Sequence, residues 1–190
     1  MTTTMKQSEL ENLQESLNVH TNVIEEYIFH QEDLLITFSD VDIVRNLLKN
    51  PEDENVRVLA QKYTEKYFAR LDNWEGLYIG EWNTHVIAHS DSSVVGMVTR
   101  TGEPLKQLQN EMISRKGLYN AGIIVSPASQ KLILSLYCPV YDEDGTTILG
   151  YVGGGPFAEE LDELLSCIED ESTEHYMLNV QSGMYIFAED

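Results

Sequence analysis

A chain of 190 residues with 42% hydrophobic content can bury one good core, or one core and part of a second. Its 12 Lys and Arg against 32 Asp and Glu give a formal charge of −20, which repels phosphate backbones and anionic membrane surfaces and excludes the nucleic-acid-binding class. The start MTTTMKQSEL lacks the basic and apolar regions of a signal peptide, and no 18-residue apolar run occurs, so a soluble polypeptide is expected.

The first expected element is a long helix. Leu10, Leu13, Leu17, His20, Ile24, Tyr27, Gln31, Leu34 and Phe38 recur at spacings of three and four, which puts them on one stripe. No Pro or Gly interrupts the run from Met1 to Phe38. About 30 helical residues make a rod of roughly 45 Å, longer than a small domain is wide. The near-heptad spacing fits packing against a second copy, although polar His20 and Gln31 interrupt the seam. A break is expected at Ser39-Asp40, before the apolar run Val41 to Leu48. Asn50 then reads as the N-cap of a further helix, with Pro51 at its first position and Glu52, Asp53 and Glu54 at the positive end of the dipole. That helix carries Val56, Leu59, Ala60, Tyr63, Tyr67 and Leu71 on one face and ends before Trp74.

From Gly76 to Phe157 the pattern changes to short strands around one helix: GLYIGEW, THVIAHS, a helix in EPLKQLQNEMIS, then LYNAGIIVS, QKLILSLYCPV and TTILGYVGGG. Asp91-Ser92-Ser93, Pro127-Ala128-Ser129 and Asp142-Glu143-Asp144-Gly145 read as the turns between them. This order is that of a small antiparallel sheet with one face on a core and the other against helices or a ligand. After Pro156, Glu159 to Ile168 form an amphipathic helix. The final hairpin, HYMLNV-QSG-MYIFAED, is too small to stand alone and reads as the beginning of another module.

The residue types that carry chemistry resolve into structural roles. His85 and His89 lie four apart in a β-type run, so their Cα atoms are separated by about 13 Å and cannot share an ion. Asp142, Asp144 and Gly145 lack the ligand continuation of a calcium loop and read as a turn. Gly150, Gly153, Gly154 and Gly155 end an antiparallel strand rather than open a crossover helix, which points to close backbone packing instead of nucleotide binding. Cys138 and Cys167 sit among apolar residues and are expected to be small buried hydrophobes rather than a disulfide. No GxSxG, HExxH, Cys-His or paired-carboxylate motif stands out, so no enzyme is expected. No cofactor or metal is expected either. What remains is a polar and aromatic set on the sheet: Tyr78, Trp82, Thr84, His85, Tyr119, Asn120, Ser135 and Tyr137. Aromatic walls with a few amide, hydroxyl and imidazole groups describe a small-molecule pocket, bounded here by the sheet and by residues Val94 to Met112.

The phrases YIGEWNTHVIAHSDSSVVG, TRTGEPL and YNAGIIVSPASQKLILSLYCPVYDEDGTTILGYVGGG resemble the Cache sensor domain, the PAS-like extracytoplasmic sensor of bacterial receptors. They look most like the double-Cache form of chemoreceptors, sensor histidine kinases and diguanylate cyclases. The resemblance implies an α+β fold in three parts. Residues 1–75 would be the long helix and helical lead-in, 76–157 a PAS-like ligand-sensing module with an antiparallel β-sheet, and 158–190 a C-terminal helix and hairpin that begin a membrane-proximal module. It implies a membrane-anchored parent protein, a homodimer through the N-terminal helix, and a ligand drawn from amino acids, amines, carboxylates or purines. The family's amino-acid signature joins a Tyr, an Arg-Trp-Tyr cluster and a later Asp. Trp82 has no Arg two residues before it and no Tyr after it, which argues against an amino-acid ligand. The expectation is a small-molecule sensing domain. The alternatives are a ligand-free dimeric module with residues 5–38 as its handle and, third, an enzyme.

Overall fold

The computed structural model describes residues 3–168, 174–180 and 182–187. The elements follow in the order α1 (Thr3–Ser39), α2 (Asp42–Lys49), α3 (Glu54–Phe68), β1 (Trp74–Glu81), β2 (Val86–His89), α4 (Gly102–Arg115), β3 (Tyr119–Val125), β4 (Leu132–Tyr141), β5 (Ile148–Pro156), α5 (Glu159–Ser166), β6 (Met177–Asn179) and β7 (Met184–Ile186). The fold is α+β, with a long N-terminal helix and a five-stranded antiparallel sheet, as its patterning leads one to expect. Two compact units make up the chain: Gln31–Phe157, and Met1–His30 with Ala158–Asp190. No helix among the described residues is long and apolar enough to cross a membrane.

Within the larger unit, α1 ends where Ser39 Oγ donates to the Ile36 carbonyl at 2.7 Å, and Arg45 then holds Asp40 and Asp42 at 2.9 and 2.8 Å. The start of α3 differs from expectation. Asn50 closes α2 instead of opening α3, donating its backbone N–H to the Asn46 and Leu47 carbonyls. The cap of α3 is Asp53, whose carboxylate accepts from the Asn55 and Val56 amides at 2.9 and 3.2 Å. A charged acceptor that satisfies two orphan amides outcompetes the Asn-Pro signal. The helix ends at Phe68, short of Leu71, and β1 begins at Trp74, two residues before the expected Gly76.

The strand order β2-β1-β5-β4-β3 places β2 and β3 at opposite edges. Residues between them must therefore cross the sheet, and α4 lies on that crossing. Side-chain alternation gives the sheet two distinct faces. On one, Leu77 and Ile79 of β1, Leu134 and Leu136 of β4 and Val152 of β5 are buried, with α2 and α3 packed against β1. Phe38 stacks on Tyr63 at 5.7 Å there, and the Trp74 indole donates to Gln31 Oε1 at 2.9 Å. That bond explains the polar interruption in the α1 stripe: a buried indole N–H needs an acceptor.

The glycines of β5 let neighbouring strands come close. A Cβ on Gly155 would collide with the Leu134 carbonyl of β4, and one on Gly150 would stand 2.5 Å from the Gly80 carbonyl of β1. The Asp142–Gly145 turn closes β4 to β5. Asp144 accepts from the Thr146 and Thr147 amides at 2.8 Å, while Asp142 pairs with Lys49 Nζ.

In the smaller unit, His20 of the α1 stripe is buried. It stacks on His175 with ring centroids 3.7 Å apart, and its Nδ1 lies 2.9 Å from the Ser16 carbonyl. Leu161 of α5 is buried, whereas Leu10, Leu13 and Leu17 of α1 are 66%, 50% and 51% exposed. Cys138 is buried as expected, but Cys167 is exposed at the end of α5, on the polar side of a short amphipathic helix. Strands β6 and β7 pair antiparallel, with Leu178 opposite Tyr185; Gln181 of the turn and residues 188–190 lie outside the described residues.

Gly155→Ala is expected to cost about 1–3 kcal/mol, because the Leu134 carbonyl that crowds it belongs to the backbone and cannot rotate away. Gly117→Ala, with open space around it, is expected to be near neutral. Chemical denaturation of the two variants checks the difference.

Candidate ligand-binding site

The second face of the sheet carries an aromatic cluster because β1, β3, β4 and β5 each turn alternate residues to it. Leu108, Met112, Tyr137 and Tyr151 form its buried heart, with Tyr78, Trp82, Tyr119 and Ala121 packed around them. Two of these rings occupy space that glycine leaves open. A Cβ on Gly153 would stand 2.5 Å from the Tyr78 ring, and one on Gly80 would stand 2.7 Å from Tyr151. Tyr78 and Tyr151 meet edge to face at 5.9 Å, and Tyr119 stacks on Tyr137 at 5.9 Å. Leu108 and Met112 of α4 close the cluster from above.

Two cations approach this apolar setting: the exposed Arg115, which lies 5.2 Å from the Tyr119 ring centre and pairs with Glu111, and Arg100. The half-buried Arg100 donates from Nη2 to Tyr137 Oη at 2.6 Å, and its guanidinium carbon lies 4.9 Å from the Tyr137 ring centre. Ser135 Oγ donates to the same phenol oxygen at 2.9 Å. No Asp or Glu lies within ion-pair distance of Arg100 among the described residues. Burial is the largest single influence and works against its charge, but Tyr137, with Tyr78 and Tyr151 adding to it, outweighs burial, so the guanidinium is held above its ordinary value. Burial pushes the Tyr78 phenol well up, with Tyr151 and Tyr137 adding to the effect. Burial likewise raises Tyr151, whose Oη has no hydrogen-bond partner of good geometry although Thr99 and Tyr78 lie beside it. The cluster thus presents a permanent cation, neutral phenols and an unsatisfied hydroxyl.

No family model matches the chain, and no curated protein matches it. Solved structures do. The sensory domain of the Campylobacter jejuni chemoreceptor Tlp3 with isoleucine bound superposes with a TM-score of 0.69 at 15% identity, over 96% of this chain and 71% of that one. The sensor domain of the Vibrio cholerae histidine kinase DctB gives 0.67 at 15% identity, over 88% of this chain. The chain spans 62% of the length of that DctB domain. The Escherichia coli DcuS sensor domain gives 0.50 at 13% identity, over 77% of this chain and 97% of that one. The fold is that of the Cache-type sensor domains.

In this Cache-type sheet, five of the eight sequence-proposed residues come together: Tyr78, Trp82, Tyr119 and Tyr137 in the aromatic cluster, and Ser135 through its bond to Tyr137. Three do not. Asn120 falls on the opposite face, where its Nδ2 donates to Glu32 Oε1 at 2.8 Å. His85 also turns away and pairs with Glu81 at 2.6 Å beside a groove of about 200 Å³ that Arg57 and Glu52 help to line. Thr84 is buried in the β1–β2 turn, its hydroxyl occupied by the backbone of Arg100. Arg100 and Tyr151 are the polar members that sequence reasoning missed, beside the apolar Leu108, Met112 and Ala121. Arg100 carried a signal, being the only Lys or Arg between Arg70 and Lys106. Tyr151 alternates with Gly153 on β5, but only pairing with β1 shows that both face the cluster.

His89 stacks on the outer side of Tyr78 at 5.7 Å. Burial pulls its imidazole below the ordinary 6.5, against the smaller opposing pull of Asp91 and Glu75. The unfolded chain therefore binds the proton more readily, and stability is lost as the pH falls below about 6.5. Measured from about pH 7 to pH 5, the unfolding free energy of His89→Gln is expected to fall less steeply than that of the parent protein.

Proposed function

We propose that this chain is the extracytoplasmic small-molecule sensing domain of a bacterial transmembrane signalling receptor, and that its ligand is a small carboxylic acid held by Arg100. The observation that carries this reading is the half-buried guanidinium in an aromatic cluster, with no protein carboxylate to pair it among the described residues. A partly desolvated charge is stable only with a counter-ion or dense hydrogen bonding, and Arg presents a fork suited to a carboxylate. Tlp3 has been solved with isoleucine and with L-valine bound, so a Cache-type sheet accommodates ligands of that size. An amino acid would also bring an ammonium. The carboxylate of Glu111, beside Tyr119, is already paired with Arg115 at 3.1 Å, and no residue bonded to Arg100 is Asp or Glu, which favours a carboxylic acid without an amino group.

Sensing then follows from where α4 sits. Leu108 and Met112 are nearly fully buried over the cluster, so a ligand that enters must displace or re-pack the crossing segment. A ligand that binds the re-packed state better shifts the population toward it. The last turns of α1 reach the far face of the same sheet through the Gln31–Trp74 bond, while Phe38 packs on Tyr63 of α3, a direct mechanical route to the long helix. The neighbours are sensor and ligand-binding domains, and we assign this chain no catalytic step.

The exposed Leu10, Leu13 and Leu17 form a stripe at spacings of three and four, which we read as the contact of a homodimer. The hairpin leaves Val180, Met184 and Tyr185 exposed by 87%, 68% and 63%, and we read it as the first strands of a membrane-proximal module.

Thermal melting against a panel of carboxylic and amino acids tests the sensing reading. A cognate carboxylic acid at about 100 times its Kd should stabilise by about 2.7 kcal/mol, a shift of several degrees. Arg100→Gln should abolish that shift and Trp82→Ala should reduce it. No shift with any carboxylate, or a shift that survives in Arg100→Gln, overturns the proposal. For the dimer, Leu17→Glu is expected to convert the sedimenting species to monomer without lowering the melting temperature by more than about 2 °C.

A further inference from the structure

We infer that Thr84 is a positioning residue that sets Arg100 for the ligand, an inference that rests on the reading of Arg100 as the ligand's counter-ion. The backbone at Thr84 is unusual. Thr84 has a φ of +67°, in the left-handed region, and its side chain is 1% exposed. Glycine or asparagine suits that region, whereas a β-branched residue is strained there and persists only where its surroundings over-determine it. The β1–β2 turn supplies part of the constraint: Thr84 N donates to the Glu81 carbonyl at 2.8 Å, and Glu81 N donates to the His85 carbonyl at 2.9 Å.

The rest comes from Arg100. Thr84 Oγ1 donates to the Arg100 carbonyl at 2.8 Å and accepts from the Arg100 amide at 3.0 Å. One hydroxyl thus satisfies both backbone polar groups of one residue. The Thr84 carbonyl accepts from the Thr99 amide at 3.1 Å, and His85 forms a β-bridge with Val98. Residues 98–100 are therefore fastened to the turn side by side, and the Arg100 side chain leaves from a backbone with little rotational freedom toward Tyr137, 2.6 Å away. The same turn holds the crossing segment again further on, where Gln109 Nε2 donates to the Trp82 carbonyl at 2.8 Å. Side-chain-to-backbone bonds of this kind locate a functional group more tightly than packing alone, because they fix direction as well as distance.

Threonine fits this role better than the residues that its φ favours. Glycine would relieve the strain but leave the Arg100 amide and carbonyl without partners. Serine would keep the hydroxyl at the same place. Those two substitutions separate a positioning role from a merely structural one.

The test uses the full chain without ligand and reads Arg100 by NMR: the exchange rate of its amide and the slowly exchanging guanidinium signal that its bond to Tyr137 should give. In Thr84→Gly, amide exchange is expected to accelerate on the order of tenfold or more, and the guanidinium signal should disappear. Melting temperature should change little, since the lost bonds are offset by relieved strain. Thr84→Ser should retain both signals. If Thr84→Gly keeps the guanidinium signal and the amide protection, Thr84 does not position Arg100. If Thr84→Ser loses them as Thr84→Gly does, the methyl group and not the hydroxyl is responsible, and the inference also fails. These readings contain no ligand, so their failure is distinct from failure of the carboxylate reading, which is seen only in the melting shift.

Discussion

Strands β2 and β3 stand at opposite edges of the sheet, and the chain between them has no route except across a face. That constraint organises the molecule. The helices that precede β1 cover one face, so the crossing segment takes the other and carries α4 and Arg100 with it. The two faces then diverge chemically. The first is filled with Leu, Ile and Val from alternate strand positions, while the second carries tyrosines whose rings lie against glycines on the adjacent strand. The pairing of a large ring with an empty position one strand away is how an antiparallel sheet makes room for aromatic groups without spreading its strands.

Polar groups on the second face are connected in one chain of bonds. Thr84 holds the Arg100 backbone, Arg100 reaches Tyr137, and Ser135 reaches Tyr137 from the same strand. Buried hydrogen bonds of this sort contribute modestly when made and cost more when half-made, so such a network behaves as a unit. Tyr151 is the member left over, its hydroxyl buried without a well-placed partner. A network that is complete except for one hydroxyl and one counter-ion suits a site that is finished by its ligand.

Much of this was legible in the residues. Period-two alternation marked the strands, and uninterrupted spacing of three and four marked α1, because both patterns follow from backbone geometry alone. The glycine run of β5 was recognisable as close packing for the same reason. Helix boundaries were less legible: Asn50-Pro51 is a strong local signal, yet Asp53 captures the cap because it satisfies two amides at once. Site membership was legible only in part. Tyr78 and Tyr137 could be grouped by strand parity, but Asn120 sits beside Tyr119 and takes the opposite face, with Glu32 as its partner from far away in the chain. Arg100 lies in a loop with no period, so nothing local announces where its side chain goes. Its isolation among the basic residues was the available clue.

The half-buried Arg100 belongs to a protein whose formal charge is −20. At long range the field therefore repels the anions that the guanidinium attracts at contact. A dianion meets about twice the repulsion of a monoanion before any shape is compared. If Arg100 binds a carboxylate as proposed, discrimination by charge number begins outside the site, and it relaxes as dissolved salt shortens the reach of the field. On that proposal the acidic surface is a first filter, and the cluster beneath α4 a second.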